Sequence, residues 1–499
     1  MNNDELCYKS ALELTGLVRK KDLSCTEIIN SFYDRIEAIN PHINAICTLV
    51  DRELALQQAV ALDKRLQAGD SLGPLAGLPI AVKDLVETRG IRTTMGSPLH
   101  AAWVPEYDAL TVERMKSADA IIIGKTNVPE FGAGSHSFNR VFGVTRNPYN
   151  LMKSAGGSSG GAAAALAAGL LPLADGSDHG GSLRNPASFC NVVGFRPSPG
   201  RVPAWPSETP FDPLSIIGPM ARSVDDAALL LSVIAGPDSR APLSIEQDPK
   251  IFAGLLNSSL EDDKSSLKGV RVAWSRDLGY LPVQASVIEV LEQAVSDLSS
   301  LGCELDEDEP DLKDAEDIFL KLRAAGFVGS HAQALQESPR MVKDTIRWNT
   351  EVGLNLSIID IAKAEAKRVT LYERTLEFFE NYDFLIVPAA QLPPFPVEWD
   401  WVREINDTRF DNYLQWMQIC CAITLTTLPV ISVPAGFSAD GLPIGLQIVG
   451  KPHADFELLQ FARAFESLGR YAQQHPLLQS DQLSHQTPLD PFVVAPQYK

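Results

Sequence analysis

A chain of 499 residues, 45% of them hydrophobic and 21% charged, has the balance of an ordinary globular protein and enough apolar material for a large core. A formal net charge of −20, with no cluster of Lys and Arg, opposes any charge-driven binding of nucleic acid or of an anionic membrane surface. No apolar run reaches membrane-spanning length, and the N-terminal MNNDELCYKS has no basic stretch leading into an apolar one, so a soluble, cytoplasmic chain is expected.

Residues 1–70 read as a helical region. Ser24 and Glu27 form a capping box, Leu23 and Ile28 its hydrophobic staple, and Ile28, Phe32 and Ile36 with Ile29 and Ile39 make one apolar stripe. Short apolar runs bounded by Gly and Pro follow. Leu78–Lys83 and Ala120–Gly124 read as buried strands with a helix, Thr111–Ala118, between them, which suggests an α/β sheet with crossover connections. Next comes Ala155–Arg184, where the serine-bearing glycine clusters Gly156–Gly161 and Gly180–Ser182 flank an alanine-rich buried helix. Ser223 is the expected N-cap of an apolar helix reaching Ile234. Acidic and small residues dominate 237–315, expected as a peripheral subdomain or insertion within a single domain spanning 1–499. It still holds a strand-like Val270–Trp274 and a helix-like Ser286–Leu301. Phe384–Pro388, Val430–Pro434 and Ile444–Val449 are further strands, with a helix from Asp455. The aromatic, proline-interrupted stretch Gln391–Met417 is either a loop wall over a pocket or the packing of a seam, about equally.

The seven cysteines are odd in number and form no CxxC pair, so reduced, mostly buried thiols are expected rather than disulfides. The eight histidines form no HExxH pattern, and no metal is expected. Nucleotide motifs fail on inspection. Gly124-Lys125-Thr126 lacks the first P-loop glycine, Asp119 standing there, and Gly132-Ala133-Gly134 lacks the third glycine of a dinucleotide fingerprint, Ser137 standing there.

The glycine clusters present serines on bare backbone, where main-chain N–H groups stay open to a substrate. A serine hydroxyl needs a base to become a nucleophile. Gly156–Gly160 matches G-x-S-x-G, but no apolar strand precedes it, so a Ser-His-Asp hydrolase is a poor fit. Lys83, at the end of an apolar strand, is the other candidate. Pointed at solvent it is an ordinary lysine; enclosed, it loses its proton near neutral pH.

Lys83 in PIAVKD, Gly124–Asn127 with Glu130-Phe131, Arg146-Asn147-Pro148, the two glycine clusters through Arg184, Val193–Pro197 and Gly441–Gln447 together resemble the amidase signature family, in order and over nearly the whole chain. The resemblance implies a large mixed β-sheet sandwiched by helices (α/β) and a Ser-cis-Ser-Lys triad: Ser182 as nucleophile, Ser158 as the bridging serine and Lys83 as base. It also implies an oxyanion site of the backbone N–H groups of His179, Gly180, Gly181 and Ser182. Ser159, Asp178 and Arg184 are expected to brace the nucleophile loop. His179 departs from the small or aliphatic residue more usual in the family, and Asn185-Pro186 departs from the Gln-Pro often seen in the glutamine-dependent tRNA amidotransferase subunit. The expected activity is hydrolysis of amides with no cofactor, preferably apolar or aromatic ones, and of esters or carbamates besides. Phe131, Trp205, Phe211, Trp399, Trp401 and Trp416 are the expected substrate pocket. Two other readings stand beside this one: the glutaminase subunit of a tRNA-dependent amidotransferase, and an inactive binding protein on the same fold. A homodimer is left open.

Overall fold

The computed structural model describes residues 3–469, 471–479, 483 and 487–493. Near the N-terminus the capping box forms as expected: the Ser24 hydroxyl accepts from the Glu27 N–H at 3.1 Å, and the Glu27 carboxylate accepts from the Ser24 N–H at 2.8 Å. The helix it starts, Cys25–Ile43, buries Ile28, Ile29, Phe32, Ile36 and Ile39. Helices Asn3–Cys7, Ala11–Lys20 and Arg52–Ala68 complete the helical part of the first 70 residues, which also holds one short strand, Ile46–Leu49.

That strand joins a small sheet in the order Ile46–Leu49, Ile121–Thr126, Pro79–Lys83. Pro79–Lys83 and Ile121–Thr126 run parallel, linked through the helix Leu110–Ser117, as the strand-helix-strand spacing predicts. Every residue of these two strands is buried, both lysines included.

The large sheet has eight strands, in the order Glu304–Glu307, Arg271–Trp274, Phe384–Pro388, Pro443–Val449, Val430–Phe437, Val193–Arg196, Ile216–Ala221 and Leu173–Asp178. The first three pair in parallel and the rest antiparallel, which makes the sheet mixed, in an α/β fold. Residues 237–315 contribute the two strands at one edge, Glu304–Glu307 outermost and Arg271–Trp274 next to it. At the other edge the small sheet docks through a bond from the Lys83 N–H to Asp175 Oδ1, 2.8 Å long.

Helix Gly160–Ala167 is buried at every residue, which explains its run of alanines. A Cβ on Gly161 would come within 2.3 Å of the Asn127 nitrogen, so only glycine lets the helix lie this close to the end of strand Ile121–Thr126. Ser223 caps Val224–Ile234 by accepting from the Asp226 N–H at 3.2 Å. All seven cysteines are free. Among the described residues, no helix is long and apolar enough to cross a membrane.

Candidate active site

The end of strand Pro79–Lys83 delivers a lysine to the first glycine cluster and to Ser177. Lys83 is fully buried, and its Nζ lies 2.9 Å from Ser158 Oγ, 2.7 Å from Ser159 Oγ, 2.9 Å from Ser177 Oγ and 3.1 Å from the Ser177 carbonyl. Burial lowers its pKa to about 7, against the pull of the Asp175 and Asp178 carboxylates. A large neutral fraction is therefore present near neutral pH. Ser158 follows a cis peptide bond, Gly157–Ser158. Ser159 and Ser177 steady the amine from other sides; sequence reasoning assigned no role to Ser177.

The second cluster is a tight loop between strand Leu173–Asp178 and helix Arg184–Phe189. Asp178 ties it together: its carboxylate accepts from the Gly181 N–H at 2.9 Å, the Leu183 N–H at 3.0 Å, and Arg184 Nε and Nη2 at 3.0 Å each. Burial works against the carboxylate's charge, but Arg184 and Arg196 hold its pKa well below the usual range. Arg184 is anchored in turn by the Cys420 carbonyl at 3.1 Å, Gln447 Oε1 at 2.9 Å and Thr424 Oγ1 at 2.7 Å. Gly181 has φ +114°, and a Cβ there would meet Cys420 Cβ at 2.6 Å, so glycine is required on both counts.

Asn185, the departure noted in the sequence, joins the two clusters. Its Oδ1 accepts from the Gly157 N–H at 3.1 Å, while its Nδ2 donates to the Gly181 carbonyl at 3.0 Å and to Ser135 Oγ at 3.1 Å. The Ser159 N–H donates to the Ser182 carbonyl at 3.3 Å, a second link between the clusters. Ser182 is 7% exposed, and its hydroxyl bonds to no described residue.

Of the four expected oxyanion donors, the Gly181 N–H is already taken by Asp178. Those of His179, Gly180 and Ser182 make no hydrogen bond to another described residue and remain available. The His179 side chain packs edge-on against Phe319, ring centroids 5.6 Å apart, and its Nε2 is buried without a partner. Burial, reinforced by the positive charges of Arg323 and Arg196, keeps the imidazole neutral.

Ser158 and Ser182 open on one cavity of about 140 Å³, lined also by Leu85, Phe131, Ser177, His179, Ser215, Arg323, Phe327 and Met417. Of the six expected pocket aromatics only Phe131 lines it. Phe211 is 73% exposed. Trp205 packs 6.0 Å from Tyr107 and 4.4 Å from the Arg240 guanidinium. Trp399 and Trp416 pack on Phe395 at 6.4 and 5.4 Å, and Trp401 lies 3.5 Å under the Arg403 guanidinium. The aromatics of 391–417 thus pack on neighbouring side chains and leave the cavity to others. A larger cavity of about 360 Å³, bordered by Glu130, Arg140 and Lys343, holds none of the triad. Among the described residues, no group of three His, Cys, Asp or Glu is placed to hold a metal ion.

The amidase family model matches residues 27–459. An acylamidase of Rhodococcus erythropolis is 35% identical over 95% of this chain and 98% of its own length. A glutamyl-tRNA(Gln) amidotransferase subunit of Carboxydothermus hydrogenoformans is also 35% identical, over 95% of this chain and 100% of its own. Among solved structures, that of a bacterial aryl acylamidase of the amidase signature family superposes with a TM-score of 0.85 at 29% identity, covering 97% of this chain and 99% of that one.

Proposed function

We propose a reaction path from this premise: the chain belongs to the amidase family and is an enzyme that hydrolyses amides. Neutral Lys83 takes the Ser158 proton as Ser158 takes one from Ser182, and Ser182 Oγ adds to the substrate carbonyl. The N–H groups of His179, Gly180 and Ser182 receive the oxyanion; each such donor is typically worth about 10²–10³ in rate. The relay then reverses, the proton reaches the leaving nitrogen, the C–N bond breaks, and water hydrolyses the Ser182 ester. The observation that carries this reading is the buried Lys83 amine, 2.9 Å from Ser158 Oγ, with Ser158 and Ser182 on one cavity. The step from Ser182 to Ser158 requires the free Ser182 hydroxyl to turn toward its neighbour.

The apolar wall of Leu85, Phe131, Phe327 and Met417 favours amides with an apolar or aromatic portion, and esters and carbamates of similar shape follow from the same acyl-enzyme. The seven free cysteines favour a cytoplasmic site. Release of amine from primary amides and anilides, and turnover of matching esters and carbamates, should be compared for wild type and Ser182→Ala. A sulfonyl fluoride should add one label to the wild-type chain and none to the variant. Equal turnover by both proteins would remove Ser182 from the role.

The amidotransferase relative raises a second reading, a glutaminase that works with partner subunits. The described lining of the cavity contains no acidic side chain to meet the ammonium of free glutamine, which weighs against it. Glutaminase activity appearing only on addition of co-purifying subunits would favour it.

A further inference from the structure

Helix Ala315–Glu337 directs side chains four residues apart at the site. Phe319 packs on His179, Arg323 and Phe327 line the cavity, and His331 packs 4.9 Å from the Phe131 ring. Arg323 stands out among the buried arginines. Arg35, Arg184, Arg196 and Arg201 each pair with a carboxylate, while Arg146 and Arg222 each end on at least two backbone carbonyls. Arg323 is 6% exposed and forms no ion pair with any described carboxylate. Its Nε and Nη2 share one neutral acceptor, the Tyr413 hydroxyl, at 3.2 and 3.0 Å, and that oxygen also accepts from Asn349 Nδ2. The guanidinium carbon lies 4.5 Å from the Phe327 ring centroid, and Nη1 bonds to no described residue.

A buried cation is ordinarily paired, and here the protein leaves the pairing open on the side of the catalytic cavity. His179 lines the same cavity, with its ring packed on Phe319 and its Nε2 buried without a partner. We propose that Arg323 is the recognition end of the pocket for a carboxylate carried by the substrate amide. A planar carboxylate matches the guanidinium fork, and its charge supplies what the Tyr413 hydroxyl does not. Because no acidic side chain lines the cavity, the substrate carries this carboxylate without an ammonium next to it, as in the monoamide of a dicarboxylic acid or an amide of an aminobenzoate.

This proposal rests on the amide-hydrolase reading above, and the experiment separates the two. Two probe pairs are compared by kcat/KM. Succinanilate against butyranilide places the carboxylate in the acyl half; 4-acetamidobenzoate against acetanilide places it in the amine half. Wild type should prefer one anionic member over its neutral partner by about 10- to 100-fold, the worth of a charge-assisted hydrogen bond. In Arg323→Met that preference should vanish, through KM more than kcat, and Arg323→Lys should restore part of it. Preference for both neutral members in wild type, or an anionic preference that survives Arg323→Met, overturns the proposal. The wild-type comparison decides even if the variant fails to fold. Loss of all four activities would count against the amide-hydrolase reading instead.

Discussion

Lys83 and Lys125 lie on neighbouring parallel strands, opposite Thr126 and Val82 respectively, and differ in what their amines meet. Lys83 and Lys125 are both fully buried, and burial lowers both amines, to about 7 and about 8. Lys83 meets three serine hydroxyls. Lys125 donates to the Val86 carbonyl and, at 3.0 Å, to Thr88 Oγ1, with the Asp84 carboxylate nearby. Asp175, on the neighbouring sheet, feels both charges. Desolvation alone does not make a general base. What separates the pair is where their hydroxyl neighbours lead: Ser158 opens on the cavity it shares with Ser182, whereas Thr88 does not line that cavity.

The sharpest break between the two is chemical. Ser182→Ala should abolish turnover, and Lys83→Met should cost about 10²–10⁴ in kcat, the usual worth of a general base, with circular dichroism and melting temperature retained. Lys125→Met should do the reverse: activity per folded molecule within a few fold of wild type, and a stability loss of about 1–3 kcal/mol in urea unfolding for the stranded carbonyl. Comparable kcat losses in both variants would erase the distinction. Asp178→Asn should cost about 3–5 kcal/mol in the same assay, because it leaves buried Arg184 without its counter-charge. A subtler contrast lies in pH. The working base must be unprotonated, so log kcat/KM should climb with unit slope up to about pH 7 and level off above it, following the Lys83 amine. Lys125→Met should leave that limb in place, because burial sets the Lys83 value and Lys125 is not among the charges that perturb it. Smallest of all, Asn185→Ala should slow turnover about tenfold by loosening the two clusters, consistent with the loss of a buried hydrogen-bonded link.

That Lys83 and the two serine-bearing glycine clusters come together was legible in the sequence because their signals are local. Glycine clusters mark where backbone must bend or be approached, and a lysine closing an apolar strand is a conspicuous exception to where lysines lie. The Ser24 box and the strand-helix-strand spacing were legible for the same reason. The pocket was not. Which aromatics face a cavity depends on how distant segments meet, and Trp399 and Trp416 found Phe395 while Phe211 stayed in solvent. Helix Ala315–Glu337, which supplies Arg323 and Phe327 to the wall, is given no reading in the sequence. Its signal was the four-residue spacing of Phe319, Arg323, Phe327 and His331, with the arginine falling in an otherwise aromatic row. The prior engagement of the Gly181 N–H was also out of reach, since it depends on the rotamer of Asp178.

Arg184 has a further implication, for synthesis and for truncation. Residues 83, 158 and 182 all leave the ribosome early, yet the guanidinium that stiffens the nucleophile loop waits for partners at 420, 424 and 447. A nascent or prematurely terminated chain therefore carries Lys83, Ser158 and Ser182 without the late anchors of Arg184. The last of those anchors, Gln447, lies on strand Pro443–Val449 in the middle of the large sheet, so the stiffness of the loop is tied to a distant part of the chain.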